Sequence, residues 1–164
     1  MPGSRERVLL AAAARGALSG LAGVAVMTAG EKVEQALTNR PNSYIPARTL
    51  LTLLGRHPSD SQKPFVWNQV MHWGTGAVLG SLRGIWAVTG IRGPLAHTKH
   101  TAVRLAFDQT LENATGVGAP PTSWPAKEQI LDVVHKALYS LTTGLLPDRW
   151  IQPDLESRRG TTSH

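Results

Sequence analysis

Four stretches of the chain carry apolar residues at helical spacing, and no stretch alternates strictly between apolar and polar residues as a strand would. These stretches are residues 8–38, 65–90, 95–114 and 126–146. A shorter apolar repeat, with Leu50, Leu53 and Leu54, lies in the first long connection, between Pro41 and Pro64. The pattern therefore predicts an all-α chain of four main helices with a short extra helix in the first long loop.

Glycines recur at helical spacing in the first two long helices. They are Gly16, Gly20 and Gly23 in the first helix, and Gly76, Gly80 and Gly84 in the second. Residues four apart lie on one helical face, so each of these faces lacks side chains and another backbone can approach it closely. We expect an up-down four-helix bundle in which the two glycine stripes face each other, and the same stripes also allow homo-oligomers.

Prolines and polar residues predict where the domain ends. Pro41 ends the first helix and Pro147 the fourth, because proline has no backbone N–H to donate. Residues 151–164 are mostly polar and predict a disordered tail. Residues 1–150 are therefore expected to form one helical domain, a size that can bury a single core.

Carboxylates and histidines gather at one end of such a bundle, where the first and third helices end and the second and fourth begin. The candidate catalytic residues at this end are Glu31, His72, Asp108, Glu112 and His135. A buried histidine, or a carboxyl group beside another one, can have a pKa near the working pH, as proton transfer requires. In this hypothesis Glu31 orients His72 as the base, and His135 pairs with Asp108 or Glu112 as the acid.

Four more residues are candidate substrate contacts: Arg83, Arg104, Trp73 and Tyr139. A plainer interpretation of the polar end is that its groups hold the helices together through ion pairs such as Arg104 with Asp108. Polar side chains inside helical membrane bundles commonly have this role.

A metal site is the third interpretation of this end. Di-iron bundles place a Glu-x-x-His pair on each of two helices. This chain has Glu31-x-x-Glu34 and Asp132-x-x-His135 instead, so only half of that pattern is present. The sequence therefore predicts neither a metal nor a cofactor.

The first helix resembles a membrane segment, since more than twenty largely apolar residues follow Arg5 and Arg7. Arg15 interrupts it, which disfavours a secretory signal, and Glu6 disfavours a transit peptide. The mean hydropathy of the whole chain, −0.13, argues against complete embedding. We expect a membrane-associated protein in which the first helix and residues 73–91 span, in an endomembrane rather than in mitochondria. A soluble cytoplasmic protein is the alternative.

Composition excludes several function classes. The 164 residues carry a net charge of +6, but only 17% are charged and the basic residues are scattered, unlike the clustered patches of nucleic-acid-binding proteins. The chain has no cysteine, so disulfides, thiolate metal sites and cysteine nucleophiles are absent. No phosphate-binding loop or serine nucleophile elbow is present either.

Three segments carry a resemblance: GLAGVAVMTAGEKVEQ, HWGTGAVLGSLRG and HKALYSLTTG. Together they resemble uncharacterised small multi-helix proteins of fungi and bacteria, predicted membrane proteins with a domain of unknown function, over most of residues 16–150. The resemblance implies a multi-helix membrane protein and brings no active-site residues with it. In fungi such proteins are sometimes encoded beside secondary-metabolite enzymes, which implies a tailoring or accessory role on a lipophilic small molecule.

The leading hypothesis is thus a membrane-associated protein that holds a lipophilic small molecule or acts on it by acid–base chemistry, as an isomerase, cyclase or dehydratase would. The alternative is a non-catalytic structural or assembly protein of the membrane. The two hypotheses differ in whether the polar end is a binding site or a packing contact.

Overall fold

The computed structural model describes residues 2–157, which fold as a helical bundle without any strand in that range. The five α-helices are α1 (Pro2–Thr38), α2 (Ile45–Leu53), α3 (Phe65–Val88), α4 (Gly93–Ala114) and α5 (Ala126–Trp150). A single 3₁₀ turn, Pro121–Ser123, lies between α4 and α5. The predicted all-α class is therefore confirmed, and α2 is the short helix expected in the first long connection.

Prolines and glycines mark the helix boundaries. Pro46 and Pro94 lie in the first turns of α2 and α4, where a missing N–H leaves no helical hydrogen bond unmade. Gly90 and Gly93 have φ angles of +91° and +77°, which L side chains rarely adopt, and they allow the short turn from α3 to α4. This turn brings the start of α4 back beside the end of α3.

Helices α1 and α3 approach each other backbone to backbone. A Cβ atom added to Gly80 would lie 2.7 Å from the Cα of Gly20, and one added to Gly84 would lie 2.9 Å from the Cα of Gly16. Real Cβ atoms essentially never come within 3.0 Å of such neighbours. Because Gly16 meets Gly84 while Gly20 meets Gly76, the two helices run in opposite directions.

Helix α5 packs against α1, α3 and α4. Its Tyr139 is fully buried and donates a hydrogen bond of 2.7 Å to the carbonyl oxygen of Gly76 on α3. The face of α1 at Gly23 lies against the same tyrosine and Thr143. Helix α4 packs on α5 and α2, and its His100 reaches α3, with Nε2 3.0 Å from the carbonyl oxygen of Leu79.

Helices α4 and α5 turn mainly polar side chains to the interior of the bundle. The buried residues of α5 are His135, Lys136, Tyr139, Ser140, Thr143, Gly144 and Pro147. Its large exposed apolar residues are Ile130, Val133, Val134, Leu141, Leu145 and Trp150. Helix α4 likewise buries His100 and Arg104. A helix of a soluble protein normally buries its apolar stripe, so α5 has the reverse arrangement.

Among the described residues, one helix is long and apolar enough to cross a membrane, namely α1 from Gly3 to Thr38. Its most apolar 18-residue window has a mean hydropathy of 1.6, and 33% of that window is buried. Core helices of soluble proteins and signal sequences satisfy the same criterion. The second span expected over residues 73–91 does not satisfy it, because glycines, tryptophans and Arg83 lower the mean hydropathy of α3.

Helix α5 is longer than the sequence pattern predicts. It continues from Leu146 through Pro147 to Trp150. Pro147 removes the bond that its own N–H would have made and crowds the carbonyl group of the preceding turn, but it does not affect the acceptors after it. The carbonyl oxygen of Pro147 still accepts a hydrogen bond of 2.9 Å from the N–H of Ile151, so the last turn is retained.

The first part of the predicted disordered tail is packed against the bundle. Ile151 is buried in a cluster with Ala12, Ala87 and Val88. The N–H of Leu155 donates to the carbonyl oxygen of Val88 at 3.0 Å. Because residues 151–164 are mostly polar, their composition did not indicate that Ile151 and Leu155 would pack against the bundle. Residues 158–164 lie outside the described part of the chain.

An aspartate joins three helices at the end where α1 begins. Arg83 has no exposed surface, and its Nη2 lies 2.7 Å from Oδ1 of Asp148. Arg92 and His97 each approach the same carboxylate to 3.7 Å, and the N–H of Gly93 donates to it at 3.0 Å. Asp148 thus compensates the charge of a fully buried guanidinium.

Substitution of Gly80 tests the close approach of α1 and α3. We expect Gly80→Ala to lower the free energy of unfolding by about 1–3 kcal/mol, because two backbones must separate to admit the methyl group. Gly74→Ala on the same helix is the matched control, since nothing lies within 4 Å of a Cβ there, and it should instead stabilise the helix by up to about 1 kcal/mol. Thermal unfolding, monitored by circular dichroism, distinguishes the two variants. Equal changes in stability would contradict the close approach of α1 and α3.

Substitution of Asp148 tests the compensation of Arg83. Asp148→Asn leaves the buried guanidinium without a counter-charge, and we expect a loss of about 3–5 kcal/mol in unfolding free energy. Asp154→Asn removes the same charge from an exposed position nearby and should change stability little. Denaturant unfolding of both variants measures the difference, and a mild effect at Asp148 would show that water reaches Arg83.

Candidate functional site

A cavity of about 370 Å³ lies at the end of the bundle where α1 and α4 end and α3 and α5 begin. All five helices contribute to its lining. The five candidate acid–base residues are part of it: Glu31, His72, Asp108, Glu112 and His135. The volume is within the range of small-molecule pockets.

Apolar and polar residues share the cavity walls. The apolar ones include Met27, Ile45, Met71, Leu111 and Leu131. Trp124, from the turn before α5, also lines the cavity. Charged and polar residues outnumber the apolar ones in the lining, so the cavity suits a small organic molecule that has both apolar and polar parts.

Four charged residues of α4 and α5 form a chain of ion pairs along the wall. Nε of Arg104 lies 2.9 Å from Oδ2 of Asp108, and Nζ of Lys136 lies 3.6 Å from the same oxygen. Lys136 also pairs with Asp132, one turn earlier on α5. The ion pair of Arg104 with Asp108 that the sequence suggested is therefore confirmed. Two cations and two anions balance, so this part of the wall is neutral and held in place.

His72 lies at the beginning of α3 and faces α1. Its Nε2 lies 3.3 Å from the hydroxyl oxygen of Thr28, so its hydrogen-bond partner is Thr28 rather than the predicted Glu31. Burial lowers the pKa of His72, and the negative charge of Glu31 opposes this shift. The imidazole is therefore neutral at neutral pH and able to accept a proton.

Glu112 lies near the end of α4, outside the ion-pair chain. Burial raises the pKa of its carboxyl group to about 7, with Lys136 opposing the shift. Its carboxyl oxygens form no hydrogen bond with any other residue in the range 2–157. Near neutral pH this group is therefore divided between its protonated and ionised forms, and it can donate or accept a proton.

The four predicted substrate contacts lie in different places. Arg104 lines the cavity, and its guanidinium carbon lies 4.8 Å from the centre of the Tyr139 ring. Tyr139 itself is buried beneath the cavity and does not line it. Trp73 packs against the buried cluster of Val24, Met27 and Tyr139, and its Nε1 donates to Gln69 at 3.0 Å. Arg83 lies at the opposite end, with Asp148.

Several lining residues were missed in the sequence analysis. Lys136 is one, although its position four residues after Asp132 is the usual spacing of a helical ion pair and could have indicated it. Ile45 and Thr49 are others, contributed by α2. Their side of α2 can be known only from how α2 packs on α3 and α4, and the sequence carries no signal for this.

The geometry offers little to a metal ion. No group of three or more histidine, aspartate or glutamate side chains within residues 2–157 is arranged to hold one. His135 and Asp132, which supplied half of the di-iron pattern, instead lie beside Lys136, and Lys136 is bonded to Asp132.

No protein family model, curated protein or solved structure matches this chain. The resemblance to small predicted membrane proteins of fungi and bacteria therefore stays a prediction. The chemistry of the cavity has to be inferred from its own residues.

The raised pKa of Glu112 predicts a pH dependence of stability. An unfolded chain ionises this carboxyl group near its ordinary value of 4.5, whereas the folded protein retains the proton up to about pH 7. The raised pKa of Glu112 therefore contributes to the stability of the folded state below pH 4.5, and this contribution is lost as the pH rises to about 7. We expect Glu112→Gln to remove that decline between pH 5 and 7 in thermal unfolding. Glu128→Gln is the control, and an unchanged slope in Glu112→Gln would contradict the assignment.

Proposed function

We propose that this protein holds a lipophilic small molecule in its cavity and transfers protons on it, in association with a membrane. One observation carries the proposal. A single cavity of about 370 Å³ joins apolar walls to a neutral histidine and to a carboxyl group with a pKa of about 7. General acid–base catalysis needs groups of this kind in a site that excludes bulk water.

The two groups have complementary roles. The imidazole of His72 removes a proton from a carbon of the bound molecule, and the protonated carboxyl group of Glu112 gives one to another atom. If that atom is a carbon, the product is an isomer. If it is a hydroxyl oxygen, water leaves and the product is dehydrated. In either case one proton then passes from the imidazolium of His72 to the carboxylate of Glu112, which returns both groups to their starting states. The neutral ion-pair chain of Arg104, Asp108 and Lys136 supplies fixed dipoles beside both groups.

The membrane part of the proposal rests on α1 and on the exterior of the bundle. Helix α1 has the length and hydropathy of a spanning helix. In addition, α5 exposes Ile130, Val134 and Leu141 while burying lysine, histidine and threonine. Apolar exteriors of this kind are costly in water and favourable in lipid. We infer that α1 crosses the bilayer.

We also infer an up-down arrangement of the four long helices, with the glycine stripes of α1 and α3 as its closest seam. The antiparallel pairing of Gly16 with Gly84 and of Gly20 with Gly76 supports this. This arrangement brings two helix ends and two helix starts to the cavity.

A structural role for the same residues is the second candidate, because one observation favours it. The chain of Arg104, Asp108, Lys136 and Asp132 is internally neutral and joins α4 to α5. Such a chain would hold a membrane bundle together without any ligand. This candidate explains the ion pairs and the hydrogen bond of His72 with Thr28, but it gives no role to Glu112.

Blocking the cavity tests the binding part of the proposal. We expect an apolar molecule to copurify with the protein and to be lost from Leu131→Trp, whose indole would fill the space between the helices. Val78→Trp is the matched control, because Val78 is 62% exposed and lies outside the cavity. Mass spectrometry of solvent extracts compares the three proteins. Equal amounts of the molecule on wild type and Leu131→Trp would refute binding in this cavity.

Two further variants test the chemistry. His72→Ala and Glu112→Gln should retain the bound molecule in unconverted form, with turnover lowered by about 10²–10⁴-fold. Mass spectrometry distinguishes the unconverted molecule from the product carried by wild type. An isomer has the same mass but a different fragmentation pattern, and a dehydrated product is lighter by one water. If His72→Ala fails to fold while Glu112→Gln folds and carries the wild-type product, the structural role is correct. If both fold and carry the wild-type product, the residues are not catalytic.

A further inference from the structure

Residues 53–67, which run from the last residue of α2 through the connection to the first turn of α3, form an exposed surface with apolar and charged side chains. Leu53, Leu54, Phe65 and Val66 lie at its two ends and are 53%, 56%, 62% and 69% exposed. Large apolar side chains exposed together in this way usually mark a surface that binds something. We call this surface the interhelix patch, and its apolar members are these four residues.

Two cations, Arg56 and Lys63, lie between the apolar ends of the interhelix patch. They line an open cleft of about 520 Å³ together with His57 and Trp67. The guanidinium carbon of Arg56 lies 6.0 Å from the centre of the Trp67 ring, at the limit of a cation–π contact. Tryptophan is enriched at the water–lipid boundary of membranes, where its ring lies at the level of the headgroups.

The charge of the interhelix patch is positive. Asp60 is the one acidic residue between positions 53 and 67, and its carboxylate is already paired with Arg48 on α2. Arg56 and Lys63 therefore have no acidic partner within the segment itself. Their charges are available to an external anion.

We propose that the interhelix patch docks on the surface of a bilayer that contains anionic lipids. Arg56 and Lys63 contact the phosphate groups, Trp67 lies at the level of the headgroups, and the four apolar side chains enter the acyl boundary. A free phosphate would satisfy the cations but leave Leu54 and Phe65 in water. The combination of cations with flanking apolar residues therefore favours a lipid surface over a soluble anion. This inference rests on the proposed membrane association and specifies which surface and which lipids take part.

Docking at this surface has a consequence for the cavity. Helix α2 directs Ile45 and Thr49 into the cavity, while its other end carries Leu53 into the interhelix patch. The cavity and the docked surface thus lie at opposite ends of one short helix. A molecule dissolved in the lipid would reach the cavity along α2 without crossing water.

A single label tests the docking. The chain has no cysteine, so Leu54→Cys and Ala126→Cys each introduce one site for an environment-sensitive fluorophore without background. Ala126 is exposed at the start of α5 and serves as the control position. The full chain is reconstituted into vesicles of phosphatidylcholine alone or of phosphatidylcholine with phosphatidylglycerol. We expect the label at position 54 to shift to the blue and to be shielded from iodide in the anionic vesicles, and the label at 126 to remain accessible.

Charge variants identify the headgroup contact. Arg56→Gln and Lys63→Gln should each reduce the ratio of shielded to accessible label at position 54 by about fivefold in anionic vesicles, and added salt should do the same. Lys127→Gln removes an exposed cation from α5 and should leave the ratio unchanged. Inorganic phosphate added to protein without vesicles should produce no shift, and a shift with phosphate alone would indicate a soluble-anion site and overturn the proposal.

The outcomes separate this inference from the proposed function. If the protein resists alkaline-carbonate extraction but the label at position 54 remains accessible in both kinds of vesicle, the docking fails and the membrane association stands. If carbonate extracts the protein and no vesicle shields the label, both fail. If the shielding is equal in neutral and anionic vesicles, the apolar residues bind lipid but the proposed recognition of anionic headgroups is wrong.

Discussion

The close approach of α1 and α3 is the contact on which the rest of the bundle depends. Because Gly16, Gly20, Gly80 and Gly84 have no side chains, the two backbones meet directly. The carbonyl oxygen of Gly76, on the same face of α3, then accepts the hydrogen bond of Tyr139 from α5. The position of α5 thus depends on the glycine contact between α1 and α3. Helix α4 is positioned in turn by its polar contacts with α5.

The buried cations at the two ends of the bundle are compensated by carboxylates. At one end Asp148 compensates Arg83, and at the other the carboxylates of Asp108 and Asp132 compensate Arg104 and Lys136. Buried ion pairs seldom stabilise a soluble protein more than apolar residues of the same volume would. Their value is greater where the exterior is apolar, because the polar groups then find partners only inside the bundle. The polar face that α5 turns to the interior and the apolar face that it exposes therefore have the same cause, namely the reversed orientation of this helix.

The sequence predicted those features that follow from periodicity and chain direction. Helical spacing located the long helices, and an alternating direction was enough to bring Glu31, His72, Asp108, Glu112 and His135 to one end. The sequence could not predict features that depend on how individual surfaces meet. The side of α2 that lines the cavity, and the choice of Thr28 as the partner of His72, are decided by tertiary packing alone.

Two local rules also gave incomplete answers, each for a physical reason. A proline interrupts a helix only where its missing N–H and its ring conflict with the preceding turn, and at Pro147 the turn continues to Trp150. Average polarity predicted disorder after Trp150, yet the single side chain of Ile151 finds a pocket between α1 and α3. At Ile151 a tertiary contact thus outweighed the local tendency of the chain, and at Pro147 the remaining hydrogen bonds of the last turn did.

The unequal pairing of the charged groups in the cavity is the strongest argument that it is a binding site. If the polar end served only to hold helices together, each charged group would be expected to have a partner of opposite charge, as Arg104 and Lys136 do. Glu112 has none among the described residues, and its burial therefore disfavours the ionised form. An apolar side chain there would make the fold more stable, because burying an unpaired carboxyl group costs free energy. A group that lowers stability and titrates near neutral pH inside a cavity is more readily explained by its chemistry than by packing.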